Sequence, residues 1–427
     1  MPDRRTPIAL RVLNGVGCAL RAAGLPLIRL DEGSLTARAA KRCGLDDFGD
    51  FFFRQPLGLL LNAFEREARL TVLGRIIART DIVRLLENRL RIIDTLKRHP
   101  EIERGTVERP LFIIGLPRTG TTILHELMAQ DPANRVPMTW EVMHPWPPPE
   151  RATYETDPRI EKVDQHFAGI DRILPGFRTM HPMGARLPQE CVALMAHDFA
   201  TMIYHTTHNV PSYQAWLERA DMRPVYASHK RQLQYLQWKC PGDRWVLKSP
   251  GHLWALAALL AVYPDARLVQ THRDPVKVVA SLTSLIATLR GMATEAIDPH
   301  QIAIDWTQRL ARGLEQTMQV RAAQPAVDAR VFDMHYREFA RDEIDMVRRI
   351  YEHFDLELTA AAEQRMRRYL AANRQETRGV HRYALAPTGL DAGVERERYR
   401  GYMERFGIEE EVESQPSSVE SRTDSRL

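Results

Sequence analysis

Eight consecutive residues in the first third of the chain have types and a spacing suited to binding a phosphate. A short apolar run at 111–114, typical of a buried parallel strand, precedes them, and a helix from about Thr121 to Gln130 is predicted to follow. Between a strand and a helix, backbone N–H groups wrap a phosphate and the helix N-terminus adds a favourable field. The sequence therefore predicts a phosphate loop that holds an anion through Arg118 and hydroxyl groups. The eight residues are Gly115-Leu116-Pro117-Arg118-Thr119-Gly120-Thr121-Thr122.

The composition of this loop distinguishes it from loops that hydrolyse nucleoside triphosphates. Its spacing is GxxxxG[KT][ST], but Thr121 takes the position of the lysine that such loops place after the second glycine. The best strand for a magnesium-binding acid, 268–272, is followed by a cation, Arg273. We therefore expect the loop to hold one phosphate with an anionic extension. Taken alone, the segment is also compatible with a plain strand-to-helix turn.

A second phosphate-binding group is predicted at the end of another strand. There Arg273 is followed by Asp274, placed as a helix N-cap, and by Pro275, placed as the first helical residue. Ser281 lies eight residues after Arg273. An arginine at the carboxyl end of a strand and a serine on the next helix can clamp a phosphate at the ligand-binding edge of such a sheet. The alternative is that Arg273 pairs with Asp274 or another neighbour on the surface.

A parallel sheet is needed to bring these two motifs to one edge. Apolar runs predict three further buried strands, and helical patterns lie between them. Strands that alternate with helices indicate an α/β fold with a doubly wound parallel sheet flanked by helices. The further strands are predicted at 244–247, 266–271 and 329–332, and the helices between them at 253–262 and 276–289.

The composition is that of a globular protein and restricts its partners. Of the 427 residues, 44% are hydrophobic and 27% charged, and the net charge of +4 is too small to suggest a nucleic-acid polymer as a partner. The four cysteines are scattered without CxxC spacing, so we expect neither a disulfide framework nor a zinc site, and a cytoplasmic location fits best. Arginines and Pro26 interrupt the N-terminal apolar stretch, so a signal peptide or spanning helix is not expected, while peripheral membrane contact stays open.

Together the two motifs resemble the sulfotransferase family. GLPRTGTT is similar to the family's loop for the 5'-phosphosulfate of 3'-phosphoadenosine 5'-phosphosulfate (PAPS), and RDPVKVVAS to its arginine-to-serine motif for the 3'-phosphate. The segments WVLKSPGHLWAL, LPQECVAL, HRYAL and RYRGYMERFGI are similar to a bacterial-type branch with an arginine in its first loop. Animal cytosolic members carry a lysine where this chain has Arg118, and their histidine base has no aligned counterpart here.

The resemblance covers about residues 50–408 and implies a P-loop NTPase-like sheet, PAPS as donor cosubstrate and a set of donor-binding residues. The helical pattern before the first strand indicates an N-terminal helical subdomain at 1–105, which precedes the sulfotransferase domain at 106–408, and the polar composition of the tail at 409–427 predicts disorder. In the first of these, Thr80 and Asp81 are the N-cap candidates of the clearest helix. Carried over by motif, the resemblance assigns the 5'-phosphosulfate to Arg118, Thr119, Gly120, Thr121 and Thr122, and the 3'-phosphate to Arg273 and Ser281.

Sulfuryl transfer requires cations at the departing phosphate and a base at the acceptor hydroxyl. Arg118 is the first cation, and Lys248, at the end of a predicted strand, is the second unless it is simply a solvated lysine. Glu190 opens the apolar helical run 191–195 and is our first choice of base, the alternative being that it complements the helix dipole. The rival bases are His252, His181 and His125, and for His125 a packed core histidine is favoured.

The sequence thus predicts a sulfotransferase that transfers a sulfuryl group in line, without a metal, from PAPS to a hydroxyl of a small molecule, glycolipid or carbohydrate. A P-loop kinase or NTPase and a degenerate nucleotide-binding protein are the alternatives. The region 135–240 supplies aromatic, methionine and histidine residues but selects no acceptor, and no pattern indicates the oligomeric state.

Overall fold

A five-stranded parallel sheet organises the protein. The structure is a computed structural model that describes Asn14, Gly15, Gly17 and residues 27–173, 183–373 and 385–411. The strands lie in the order β2-β3-β1-β4-β5, and all of their pairings are parallel. They are β1 (Leu111–Gly115), β2 (Asn134–Arg135), β3 (Arg244–Lys248), β4 (Arg267–His272) and β5 (Val331–His335).

Helices surround this sheet. Before β1 lie α1 (Glu32–Cys43), α2 (Arg54–Arg66) and α3 (Val72–Arg98). Between β1 and β3 lie α4 (Thr121–Met128), α5 (Thr139–Met143), α6 (Pro158–Ile173), α7 (Cys191–Met195), α8 (Ile203–Thr207), α9 (Pro211–Leu217) and α10 (Arg223–Gln237). Between β3 and β5 lie α11 (Leu256–Val262), α12 (Pro275–Arg290), α13 (Pro299–Ala323) and α14 (Pro325–Asp328). After β5 lie α15 (Tyr336–Phe339), α16 (Glu343–His353), α17 (Ala360–Ala372) and α18 (Ala392–Phe406).

The central strand β1 shows how the sheet is buried on both faces. Its five residues are all buried, and their side chains alternate between two apolar clusters. Phe112 and Ile114 join the cluster that includes Leu86 of α3, whereas Leu111 and Ile113 join the cluster that includes Leu124 of α4. A continuous apolar run is what a parallel strand covered on both sides requires. The α/β fold with a parallel sheet flanked by helices, predicted from the sequence, is confirmed.

The limits of some elements differ from the prediction. Helix α3 begins at Val72 behind the N-cap Thr71, so Thr80 and Asp81 lie inside it and are not caps. The cap was missed because Gly74, a weak helix former, stands in the first turn, where its N–H bonds the Thr71 hydroxyl at 3.0 Å. Strand β5 begins two residues later than predicted, after the short helix α14.

The sequence did not predict strand β2, because its two residues are too few to form a pattern. No helix within the described ranges is long and apolar enough to cross a membrane.

Candidate active site

The first phosphate loop joins β1 to α4 through three residues in the left-handed backbone region. Gly115 has a φ of 136°, and a Cβ added there would lie 2.2 Å from the hydroxyl oxygen of Thr271. Gly120 has a φ of 88°, and its added Cβ would lie 3.0 Å from the ring of Phe339 and 3.1 Å from that of Tyr336. Both positions therefore require glycine. Arg118, with a φ of 66°, adopts this region despite its side chain, which costs roughly 1–2 kcal/mol.

Arg118 is where the two sequence motifs meet. Its Nε donates to the Ser281 hydroxyl at 3.1 Å, and its carbonyl oxygen accepts a hydrogen bond of 2.9 Å from Arg273 Nη1. Ser281 stands on α12, which begins behind Asp274 as predicted: the Asp274 carboxylate caps the helix by accepting from the Val276 N–H at 2.9 Å. The carboxyl ends of β1 and β4 thus hold both motifs at one edge of the sheet.

The threonines of the loop differ in what they can offer an anion. The Thr119 hydroxyl is buried, donates to the carbonyl oxygen of Leu116 at 2.6 Å and lies 2.5 Å from the Thr271 hydroxyl oxygen. Thr119 can therefore contribute its backbone N–H, while its side chain ties the loop to β4. Thr121 and Thr122 form the first turn of α4, where backbone N–H groups lack helical partners.

Lys248 and Glu190 form an ion pair beside this loop. Lys248, at the end of β3, donates to Glu190 Oε1 at 2.5 Å and to the Thr122 hydroxyl at 3.3 Å. The Lys248 side chain is 3% exposed and that of Glu190 is 21% exposed. Lys248 is therefore buried and paired, which excludes the alternative of a solvated lysine.

Glu190 lies at the N-cap of α7, as the sequence predicted. Among the described residues, its carboxylate makes no capping hydrogen bond to that helix and contacts Lys248 instead. The structure therefore directs the Glu190 side chain toward the loop, although its position also fits the helix dipole.

The rival histidines lie in the core or outside the described residues. His252 is fully buried, with Nδ1 2.7 Å from the Tyr226 hydroxyl and its ring edge-on to Phe112. Burial, with a smaller effect of His229, lowers the pKa of His252 well below 6.5. His125 lies 3.1 Å from the carbonyl oxygen of Val246, and burial and the Lys248 charge lower its pKa to about 3. His181 falls outside the described residues.

Arg273 has a carboxylate partner that the sequence did not indicate. Its Nε and Nη2 each donate to a different oxygen of Glu411 at 2.8 Å, and its guanidinium lies 4.1 Å from the centre of the Tyr336 ring. Asp274, the neighbour considered as a partner, is occupied by the N–H groups of Val276 and Glu411. Glu411 lies 138 residues away and in the segment assigned to the tail, so no local pattern could have identified it.

Within the described parts of the chain, no cluster of three or more His, Cys, Asp or Glu side chains could hold a metal ion. The charge of the site is carried by side chains on the sheet edge: the cations Arg118, Lys248 and Arg273 and the carboxylates Glu190 and Glu411.

A family comparison agrees with this site, which combines a phosphate loop without the Walker lysine, an arginine-to-serine motif and the buried Lys248 beside the loop. The model of the sulfotransferase family matches residues 110–360, which include β1 to β5 and every predicted site residue. The chain belongs to the sulfotransferase family. It is therefore a transferase, and PAPS is the donor that the family uses.

Relatives of this sulfotransferase are found among mycobacterial proteins. The omega-hydroxy-beta-dihydromenaquinone-9 sulfotransferase Stf3 of Mycobacterium bovis is 26% identical over 298 residues, 63% of this chain and 68% of Stf3. The crystal structure of sulfotransferase STF1 from Mycobacterium tuberculosis H37Rv is 36% identical, with a TM-score of 0.77, covering 87% of this chain and 98% of STF1. That of sulfotransferase STF9 from Mycobacterium avium is 32% identical, with a TM-score of 0.81, covering 89% and 98%.

Proposed function

We propose that this sulfotransferase transfers the sulfuryl group of PAPS, in one in-line step, to the hydroxyl of an apolar small molecule or lipid. The contact of Lys248 with both Thr122 and Glu190 carries the proposal. This contact places Lys248, a cation that can face the donor, next to Glu190, a carboxylate that can face the acceptor, and both lie beside the phosphate loop. A kinase or NTPase would need a magnesium-binding acid, but β4 is followed by Arg273, and the next residue, Asp274, is engaged as the N-cap of α12.

Arg118 and Lys248 are the proposed stabilisers of the departing phosphate. As the bond between sulfur and the bridging oxygen breaks, the phosphate gains negative charge, and positioned donors lower the energy of that transition state. Arg118 offers a rigid fork of N–H groups held by a strained loop, and Lys248 offers three N–H groups, two of which have described partners. A buried cation acts strongly because little water screens it.

Glu190 is the proposed general base. In the same step the acceptor oxygen forms its bond to sulfur and its proton passes to the Glu190 carboxylate, so atoms and charge balance. Glu190 is partly exposed and lies beside the loop, whereas His252 is enclosed in the core. This difference in access to the site favours Glu190 over His252.

Arg273 and Ser281 are the proposed ligands of the 3'-phosphate. Arg273 presents its guanidinium at the end of β4, and Ser281 reaches the same region from the second turn of α12. A guanidinium that already holds a carboxylate through two parallel bonds has the geometry that phosphate recognition requires. The backbone N–H groups of the loop 115–122 would hold the 5'-phosphosulfate.

An apolar acceptor is supported by the residues next to Glu190 and by one relative. Val192, two residues after Glu190, and Met202 both lie against Gly251: a Cβ added there would be 3.5 Å and 3.2 Å from them. Both side chains are apolar and almost fully buried. The relative Stf3 is named for an acceptor of this kind, an omega-hydroxylated dihydromenaquinone. We therefore propose a hydroxyl on a largely apolar molecule.

The proposal is tested by incubating the purified protein with PAPS and a panel of hydroxylated quinols, steroids, fatty alcohols, glycolipids and sugars, in EDTA. Mass spectrometry should detect the gain of one sulfate on an apolar member of the panel. EDTA should not reduce turnover, because Arg118 and Lys248 are proposed to supply the positive charge. Transfer to sugars alone would contradict the acceptor class, and turnover that requires added magnesium would contradict the mechanism.

A further inference from the structure

The last described helix is fixed to the strand end that carries Arg273. On α18, the Tyr402 hydroxyl lies 2.9 Å from His272 Nδ1, and the Phe406 ring stacks on the His272 ring at 4.2 Å between centroids. His272 immediately precedes Arg273. After Phe406, Gly407 adopts a left-handed conformation with a φ of 60° and ends the helix. The chain that follows α18 therefore starts beside the second phosphate motif.

Three consecutive glutamates in this chain each pair with an arginine. Glu409 pairs with Arg337, and Glu410 lies 3.2 Å from Arg396. These two carboxylates are 73% and 58% exposed, whereas the third, Glu411, is 26% exposed. These three ion pairs hold the acidic segment Glu409–Glu411 at the edge of the sheet. Glu411, the most buried of the three carboxylates, binds Arg273.

Two observations show that Glu411 is closely fitted to the second phosphate motif. Its carboxylate takes two 2.8 Å bonds from Arg273, and its backbone N–H donates to the Asp274 carboxylate at 2.9 Å. Asp274 is also the N-cap of α12, the helix that carries Ser281. A carboxylate bound by both arms of a guanidinium imitates a phosphate in charge and geometry.

We propose that Glu411 is an internal competitor of the donor's 3'-phosphate, so that the acidic segment Glu409–Glu411 is an autoinhibitory contact. This inference rests on the proposed role of Arg273 as a 3'-phosphate ligand. Glu411 occupies the Nε–Nη2 edge of Arg273, and a phosphate on the remaining N–H groups would place two anions side by side on one guanidinium, so nucleotide binding should displace the Glu411 carboxylate. The measured affinity is then the intrinsic affinity multiplied by the fraction of molecules in which the contact is open. After transfer, the returning carboxylate favours release of adenosine 3',5'-bisphosphate.

The test is calorimetric binding of adenosine 3',5'-bisphosphate and of 5'-AMP to the full chain. Glu411→Ala and Glu411→Gln should each bind the bisphosphate about tenfold more tightly than the unmodified protein, the scale of one charge-assisted hydrogen bond. Their affinity for 5'-AMP should be unchanged, because it has no 3'-phosphate to compete with Glu411. Glu397→Gln is the matched control, since Glu397 lies on α18 but is exposed and pairs with Arg400. This control should bind both nucleotides as the unmodified protein does.

An Arg273→Ala variant separates failure of this inference from failure of the proposed function. If it still prefers the bisphosphate to 5'-AMP as strongly as the unmodified protein, Arg273 is not a 3'-phosphate ligand. Both its proposed role in donor binding and the competitor role of Glu411 are then wrong. If the preference is lost but the Glu411 variants bind the bisphosphate equally or more weakly, only the competitor role is wrong. In that case Glu411 holds Arg273 in position for the phosphate.

Discussion

Two pairs of a cation with a carboxylate stand at the same edge of the sheet, but their acids come from different parts of the molecule. Lys248 pairs with Glu190, which is fixed at the start of a helix that packs in the core. Arg273 pairs with Glu411, which follows the last described helix. The Lys248 side chain is 3% exposed and the Arg273 side chain 13%. We therefore expect the first contact to be a fixed part of the site and the second to be displaced when the nucleotide binds.

Glu190→Gln should have the largest effect and should act on the first pair alone. Glutamine keeps the size of the side chain but cannot accept the acceptor's proton, so turnover should fall by about 10²- to 10⁴-fold. Binding of adenosine 3',5'-bisphosphate should not change. Steady-state kinetics and calorimetry with one acceptor measure both quantities. A helix-capping role would instead lower the melting temperature and leave turnover nearly intact.

Arg118→Ala should lower turnover by about 10²- to 10³-fold, the scale seen when one positioned electrostatic donor is removed. Donor affinity should weaken too, because Arg118 also contacts Ser281 of the second motif. Arg118→Lys is the matched variant, since it keeps the charge and loses the fork. Equal turnover in Arg118→Ala and the unmodified protein would remove Arg118 from the transition state.

Arg273→Ala should act on the second pair through affinity. Its binding of adenosine 3',5'-bisphosphate should weaken by about 10- to 100-fold, while binding of 5'-AMP should stay the same. Arg400→Ala, which removes an exposed arginine of α18 paired with Glu397, is the control. If turnover at saturating donor fell as far as in Glu190→Gln, Arg273 would belong to the chemical step, and the distinction between the two pairs would fail.

His252→Gln should have the smallest effect on turnover and a measurable one on stability. The folded pKa of His252 lies below 6.5, so the unfolded chain takes up a proton first as the pH falls, and the folded state loses stability below about pH 6.5. The substitution should reduce this slope by about 1.4 kcal/mol per pH unit. Chemical unfolding at several pH values measures it.

The exposed His353 provides the control for this experiment, as His353→Gln. A His252→Gln variant without activity, beside an active Glu190→Gln variant, would transfer the role of base to His252.

Local patterns were sufficient to predict the elements that position the site. The apolar run of β1, the glycines of the first loop and the Asp274-Pro275 start of α12 each depend on neighbouring residues, and all three are found as predicted. The short strand β2 and the start of α3 were missed because two residues, or one glycine in a first turn, leave little pattern.

Contacts between residues that are distant in the sequence could not be predicted from local patterns. The depth of His252 depends on Tyr226 and Phe112, and the partner of Arg273 lies 138 residues away. The pairing of Lys248 with Glu190 joins residues that were predicted separately for the same site, but no pattern connected them. Which ionisable groups meet, and which are enclosed, is determined by tertiary packing.

One aromatic ring touches both phosphate motifs. Tyr336, the first residue after β5, lies 4.1 Å from the Arg273 guanidinium, and the same ring limits the space at Gly120 of the first loop. The two proposed phosphate sites are therefore not structurally independent of each other. Under the proposed assignment of the two motifs, we expect a change at position 336 to alter the binding of both ends, so libraries aimed at new sulfuryl donors should vary Tyr336 together with the loop.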